Sequence, residues 1–183
     1  MKAHLIFLDE SGFQLLPHVC RTWAPRGQTP LYRQWHRRHR LSVISAVTVS
    51  PRRPRLGLYY QVHGKNIQQA EIVQFLRHLL RHLPGPILLL WDNGASHRGP
   101  PIAALSAAHP RLHLVRFPAY APELNPDEAV WIFTKRRLAN GCPADLDALL
   151  WDVTEVLEDV KRSPRLLRAC LQQSDLPQIL KRA

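Results

Sequence analysis

Short unbroken apolar runs alternate along this chain with stretches whose apolar residues recur at helical spacing. Ala3 to Leu8 is one such run, and its length and continuity predict a buried strand that Ser11-Gly12 brings to an end. Leu41 to Val49 and Leu56 to Val62, both rich in β-branched residues and joined across Pro51 to Pro54, predict an antiparallel pair. Between these, residues 13–40 carry Pro17, Pro25, Gly27 and Pro30 and read as a hairpin or loop excursion. Asn66, with Gln69 three positions on, resembles a helix capping box, and Ile72, Phe75, Leu76, Leu79, Leu80 and Leu83 follow at a period near 3.6. Pro84-Gly85-Pro86 stops that helix, and Ile87 to Trp91 predicts another buried strand. A strand–helix–strand order favours a right-handed crossover, which lays this strand parallel to an earlier one and brings Asp92 near Asp9.

The later part reads as a short helix around Pro101 to Ala108, a strand over Leu112 to Phe117, and a rigid loop from Pro118 to Pro126. Helices follow over Asp127 to about Leu138, Leu146 to Val160 and Arg165 to Leu171, the last with a loose tail. Strands that give way to helices, with acids after the first and fourth strands, outline an α/β RNase H-like fold: a mixed central sheet flanked by helices. Residues 1–162 are expected to form that domain and 163–183 a C-terminal helix and tail.

A chain of 183 residues can bury one sizeable core, so one domain is the default. Its 25 Lys and Arg against 14 Asp and Glu give a net charge of +11, which favours a polyanionic partner, nucleic acid first among them. Cys20, Cys142 and Cys170 are odd in number and far apart, which argues against a disulfide framework or a zinc site. No apolar run approaches membrane-spanning length, and Asp9 interrupts the only stretch that resembles a secretion signal. A soluble, cytoplasmic, nucleoid-associated protein is therefore expected.

Three acids concentrate the chemistry. Asp9 and Asp92 follow buried strands, and Glu128 stands in the first turn of the helix opened by Asn125-Pro126. Carboxylates are hard oxygen ligands, and two divalent ions about 3.5 to 4 Å apart can activate the attacking oxygen and stabilise the leaving oxygen of a phosphodiester displacement. Each acid also has an ordinary reading. Asp9-Glu10-Ser11-Gly12 fits a plain turn, Asn93-Gly94 is a turn signal, and Glu128 lies where a glutamate often satisfies the backbone donors of a helix start.

Asp9-Glu-Ser-Gly12, Arg21-Thr-Trp-Ala-Pro-Arg-Gly-Gln-Thr-Pro30, Trp91-Asp-Asn-Gly-Ala-Ser-His97 and Pro118-Ala-Tyr-Ala-Pro-Glu-Leu-Asn-Pro-Asp-Glu128, with Trp131 and Lys135, occur in this order. Together they resemble the catalytic domain of insertion-sequence transposases of the Tc/mariner superfamily. The resemblance runs from residue 5 to about residue 160, and it implies a DDE endonuclease that cleaves and transfers DNA strands in cut-and-paste transposition. It implies Asp9, Asp92 and Glu128 as catalytic residues and as ligands of two Mg²⁺ or Mn²⁺ ions. The interval from Asp92 to Glu128 is similar to that of the superfamily, whereas Asp127 stands where an apolar residue is usual. The implied partners are transposon-end and target DNA and a second copy of the chain. Family members carry helix-turn-helix modules ahead of this domain; with a strand starting at Ala3, such a module is expected to be absent here and supplied separately, if at all.

Asn93 and His97 are expected as active-site support beside the second acid, with a turn amide as the ordinary reading of Asn93 and a cap on the next helix as that of His97, whose ring could instead approach a phosphate. Arg33, Arg37, Arg38 and Arg40, interleaved with Trp35, are expected to track a DNA backbone, although a solvated loop explains them equally simply. Lys135 should point the same way as Glu128 and neutralise a phosphate there. Trp23 is expected to pack on the sheet within a stiff Trp23-to-Pro30 turn. Two further readings stand beside transposition: a DNA-binding remnant without catalysis, and a stand-alone RNase H-like nuclease acting on hybrids or branched DNA.

Overall fold

The computed structural model describes residues 3–16, 19–28, 31, 39–51 and 55–177. Its elements, in order, are β1 (His4–Gln14), β2 (Arg40–Val49), β3 (Leu56–His63), α1 (Gln69–His82), β4 (Ile87–Trp91), α2 (Pro100–Ala108), β5 (Leu112–Arg116), α3 (Pro126–Arg137), α4 (Leu146–Arg162) and α5 (Pro164–Gln173). Among the described residues the strands form one sheet in the order β3-β2-β1-β4-β5. The β1–β2 and β2–β3 pairs are antiparallel, and β1–β4 and β4–β5 are parallel.

Alternation along the strands divides the core in two. Ile6 and Leu8 of β1, Ile44 and Ala46 of β2 and Leu89 and Trp91 of β4 pack with Phe75 and Leu76 of α1 and Ile102 and Leu105 of α2. The opposite face, with Phe7, Val43, Val47 and Leu58, packs with Val130 and Trp131 of α3, Leu157 of α4 and Leu167 and Leu171 of α5. Both faces of the sheet are thus covered, which is why its strands read as near-continuous apolar runs. The α5 helix belongs to this packing, and the chain just after it is tied back where Asp175 N–H donates to Glu123 O at 2.7 Å.

The first strand is longer than its apolar run. Glu10, Ser11 and Gly12 continue β1 because β2 pairs with it all the way from Leu5↔Val49 to Gln14↔Arg40, satisfying backbone groups that a local turn would otherwise bond. The start of α1 also differs from expectation. Gln68 is the N-cap residue, and its backbone N–H donates to Glu71 Oε2 at 3.0 Å. Asn66 instead accepts from Arg40, and the Gln69 side chain occupies the space over Gly99, where φ is +132° and an added Cβ would lie 2.6 Å from Gln69 Oε1. Trp23 does not pack on the sheet; it is fully exposed.

Candidate active site

The site lies where β1 outruns β4. Their parallel pairing stops at Phe7↔Leu90, so Asp9 has Ser45 of β2 on one side and an open mouth on the other. Asp92 leaves the end of β4 at that same edge, and α3 crosses it with its N-terminus. The resulting groove, about 370 Å³, is lined by Asp9, Asp92, Asn93, Pro118, Asn125 and Glu128 among others. The three acids expected from the sequence therefore share one cleft, although only Asp9 sits within a strand.

Asp9 faces α3, where Trp131 Nε1 donates to its Oδ2 at 3.1 Å. Burial, then the charges of Glu128 and Glu10, push its pKa up to about 7. Asn125 caps α3 by accepting from Asp127 N–H at 3.2 Å, and Pro126 occupies the first helical position. That cap also donates to Leu8 O at 3.4 Å, which ties the start of α3 to β1 and holds Glu128 beside Asp9. The loop ahead of it turns through Tyr120, at φ 57°.

Asp127 is fully buried and points away from the groove, accepting from Ser45 Oγ at 2.7 Å on each oxygen. Burial and the nearby charge of Asp9 drive its pKa well above the ordinary carboxylate range. Of the two adjacent acids, Glu128 alone lines the groove.

Asn93 lines the groove, and its side chain does not close a local turn but donates to Phe117 O at 2.9 Å, tying the segment after β4 to the end of β5. His97 is 2% exposed and so is not placed to meet a phosphate. Its Nδ1 lies 2.5 Å from Asp92 Oδ1, and its Nε2 lies 2.9 Å and 3.1 Å from the two oxygens of Glu10. Burial opposes charge on the ring, but hydrogen bonding to Glu10 and the charges of Glu10 and Asp92 outweigh it and raise the pKa. Glu10, for which sequence reasoning assigned no role, is the neighbour of Asp9 turned to the other face of the sheet. Strand alternation was the signal that could have paired it with the segment after β4.

The donors suit a hard divalent cation, since all are carboxylate oxygens and Asp9 bears an electrostatic penalty that a cation would relieve. Among the described residues no three Asp, Glu, His or Cys side chains close around a single point.

Lys135 does not share this groove. Two helical turns beyond Glu128, it lines a separate one with Gly12, Phe13 and Arg136, and its Nζ lies 5.9 Å from the centre of the Phe13 ring. Arg40 is exposed at the start of β2 and bonds Asn66. Arg33, Arg37 and Arg38 lie outside the described residues.

Residues 4–150 match the family described as DDE superfamily endonuclease. The chain belongs to that family. This DDE endonuclease shares its fold with the mariner Mos1 paired-end complex with Mg, at 18% identity and a TM-score of 0.64, over 93% of this chain and 53% of that one. The catalytic domain of Mos1 mariner transposase is similar at 14% identity and a TM-score of 0.53, over 94% of this chain and 84% of that domain. A chain from the structure of the simian T-cell lymphotropic virus intasome in complex with PP2A regulatory subunit B56 gamma is similar at 10% identity and a TM-score of 0.54, over 88% of this chain and 49% of that one. The fold is RNase H-like, as the element order predicted. The DDE endonuclease spans about half the length of the Mos1 chains in the paired-end and strand-transfer complexes. No curated protein matches its sequence. Among the described residues no helix is long and apolar enough to cross a membrane.

Proposed function

We propose that this chain is the catalytic domain of a DDE transposase that cuts DNA at transposon ends and joins the freed ends to target DNA, with Asp9, Asp92 and Glu128 as catalytic residues holding two Mg²⁺ or Mn²⁺ ions. The observation that carries this reading is the convergence of those three carboxylates, from β1, the end of β4 and the first turn of α3, on the walls of one groove. When bound, the ions would supply Lewis-acid polarisation of the attacking and leaving oxygens.

The chain's own residues organise the rest. Trp131 fixes one oxygen of Asp9, the Asn125 cap places Glu128, and His97 with Gly94 N–H restrains Asp92. In the first displacement a water oxygen bonds to phosphorus as the bond to the 3′ oxygen breaks, which leaves a 3′-hydroxyl. In the second, that hydroxyl attacks a target phosphodiester in the same in-line manner and displaces another 3′ oxygen. The similar Mos1 complexes, one with a left transposon end and others with Mg and with Mn, support this assignment of substrate and metal. Paired ends also call for two copies of the chain, and recognition of the end sequence for a helix-turn-helix module.

Asp9→Asn, Asp92→Asn and Glu128→Gln should each lower Mg²⁺- or Mn²⁺-dependent nicking of end-containing DNA by at least about a hundredfold while DNA affinity changes little. The assay follows nicked and joined products on denaturing gels. Wild-type rates in any of the three would remove that residue from the mechanism.

A further inference from the structure

We propose that Glu10 is a positioning residue for Asp92, acting through the ring of His97. The proposal rests on the reading of Asp92 as a metal ligand and adds a residue that lies outside the groove.

The need for such a residue follows from the topology. The last β1–β4 rung is Phe7↔Leu90, yet both aspartates lie beyond it, where no sheet pairing sets the distance between the two strands. The side chain of Asp92 is 60% exposed, and an exposed side chain past a strand end has freedom that a shared ion cannot tolerate. A chain of contacts closes this gap. Glu10 projects from β1 on the face opposite Asp9 and meets His97 Nε2 with both oxygens. His97 Nδ1 in turn meets Asp92 Oδ1, on which Gly94 N–H also converges at 2.8 Å. Both contacts fall on Oδ1.

The ring has no slack. It stacks on Trp91 with centroids 4.5 Å apart and planes inclined by 10°, which fixes the ring plane, and within that plane Nε2 meets Glu10 of β1 while Nδ1 meets Asp92 after β4. Nδ1 faces Asp92 through both Oδ1 and the main-chain O, the latter at 3.3 Å, while Nε2 faces only the Glu10 carboxylate, an acceptor to which it donates. Without Glu10, a buried N–H would lose its partner and the ring its reason to hold this orientation. Glu10 adjoins Asp9 in sequence, so the bridge fixes Asp92 relative to Asp9 as well as to His97. This is how outer-shell partners orient metal ligands elsewhere.

The test is Mn²⁺ binding to the whole chain without DNA, measured by isothermal titration calorimetry, with circular dichroism to verify folding. Glu10→Ala should weaken Mn²⁺ affinity about 10- to 100-fold. Glu10→Gln, which keeps an acceptor for Nε2 and the shape of the side chain, should retain most of the affinity. In a His97→Gln background, adding Glu10→Ala should cost less than about twofold more, because the path it acts through is already cut. Unchanged affinity in Glu10→Ala, alongside loss in Asp9→Asn, would overturn the positioning role and leave the site intact. Full additivity in the double variant would mean that Glu10 acts independently of His97 and equally overturn the proposal. A wild-type chain that binds no Mn²⁺ would overturn the two-ion reading and this proposal with it.

Discussion

Asp9 lies buried among the charges of Glu128 and Glu10, and its pKa of about 7 makes folding stability depend on pH. A carboxyl whose folded pKa exceeds its ordinary 3.8 is held protonated by the fold, so its contribution is complete below about pH 4 and is lost as pH rises through about 7. With each unit worth about 1.4 kcal/mol, the loss is of the order of 4 kcal/mol at most. His97 acts in the same direction, because its raised pKa gives stability below 6.5 that disappears as pH climbs through the higher folded value. Urea unfolding in EDTA should therefore show a midpoint that falls between about pH 5 and pH 8, and added Mn²⁺ should recover it at the upper end. A midpoint flat across that window would contradict the electrostatic picture of the site. At this scale the sequence singled out three acids by their motifs, and the structure brings those three to one groove. It left open whether Asp127 or Glu128 faces the groove. Adjacent helical positions point about 100° apart, and only the docking of α3 over Ser45 sends one inward and the other to the cleft.

Among the elements, α3 carries the greatest functional demand, for its first turn must be both capped and seated on β1. Asn125→Ala removes the acceptor for Asp127 N–H and the donor to Leu8 O together, and should cost about 1 to 2 kcal/mol in chemical denaturation. An unchanged midpoint would mean that the cap is dispensable. The helix was legible in advance, from Asn125-Pro126 to its basic last turn, because capping and dipole preferences act locally. The strand β1 was legible only over its apolar run to Leu8 and not in its extension to Gln14, since Ser11-Gly12 favours a turn when read alone. Pairing with β2 along ten residues overrides that preference, and β2 comes from a segment far along the chain. The capping residue of α1 was likewise displaced from Asn66 to Gln68, because Asn66 meets Arg40 at the start of β2.

For the whole molecule, the proposed action on DNA combined with a net charge of +11 would make affinity chiefly a matter of counterion release. Apparent affinity should fall steeply with salt in a filter-binding or anisotropy titration. Replacing Arg33, Arg37 and Arg38 together by Ala should flatten the log–log slope by about 0.9 for each phosphate that is no longer neutralised. An unaltered slope would place that cluster outside the interface. Apolar runs, helical periods, caps and the excess of basic residues were readable without coordinates, because each is imposed by neighbours along the chain or by bulk charge. The strand order, the extension of β1 past β4, the burial of Asp127 and the bridge from Glu10 through His97 to Asp92 arise between segments distant in sequence. No local preference encodes such meetings; they exist only once the two faces of the sheet have been covered and the ends of its strands brought to one edge.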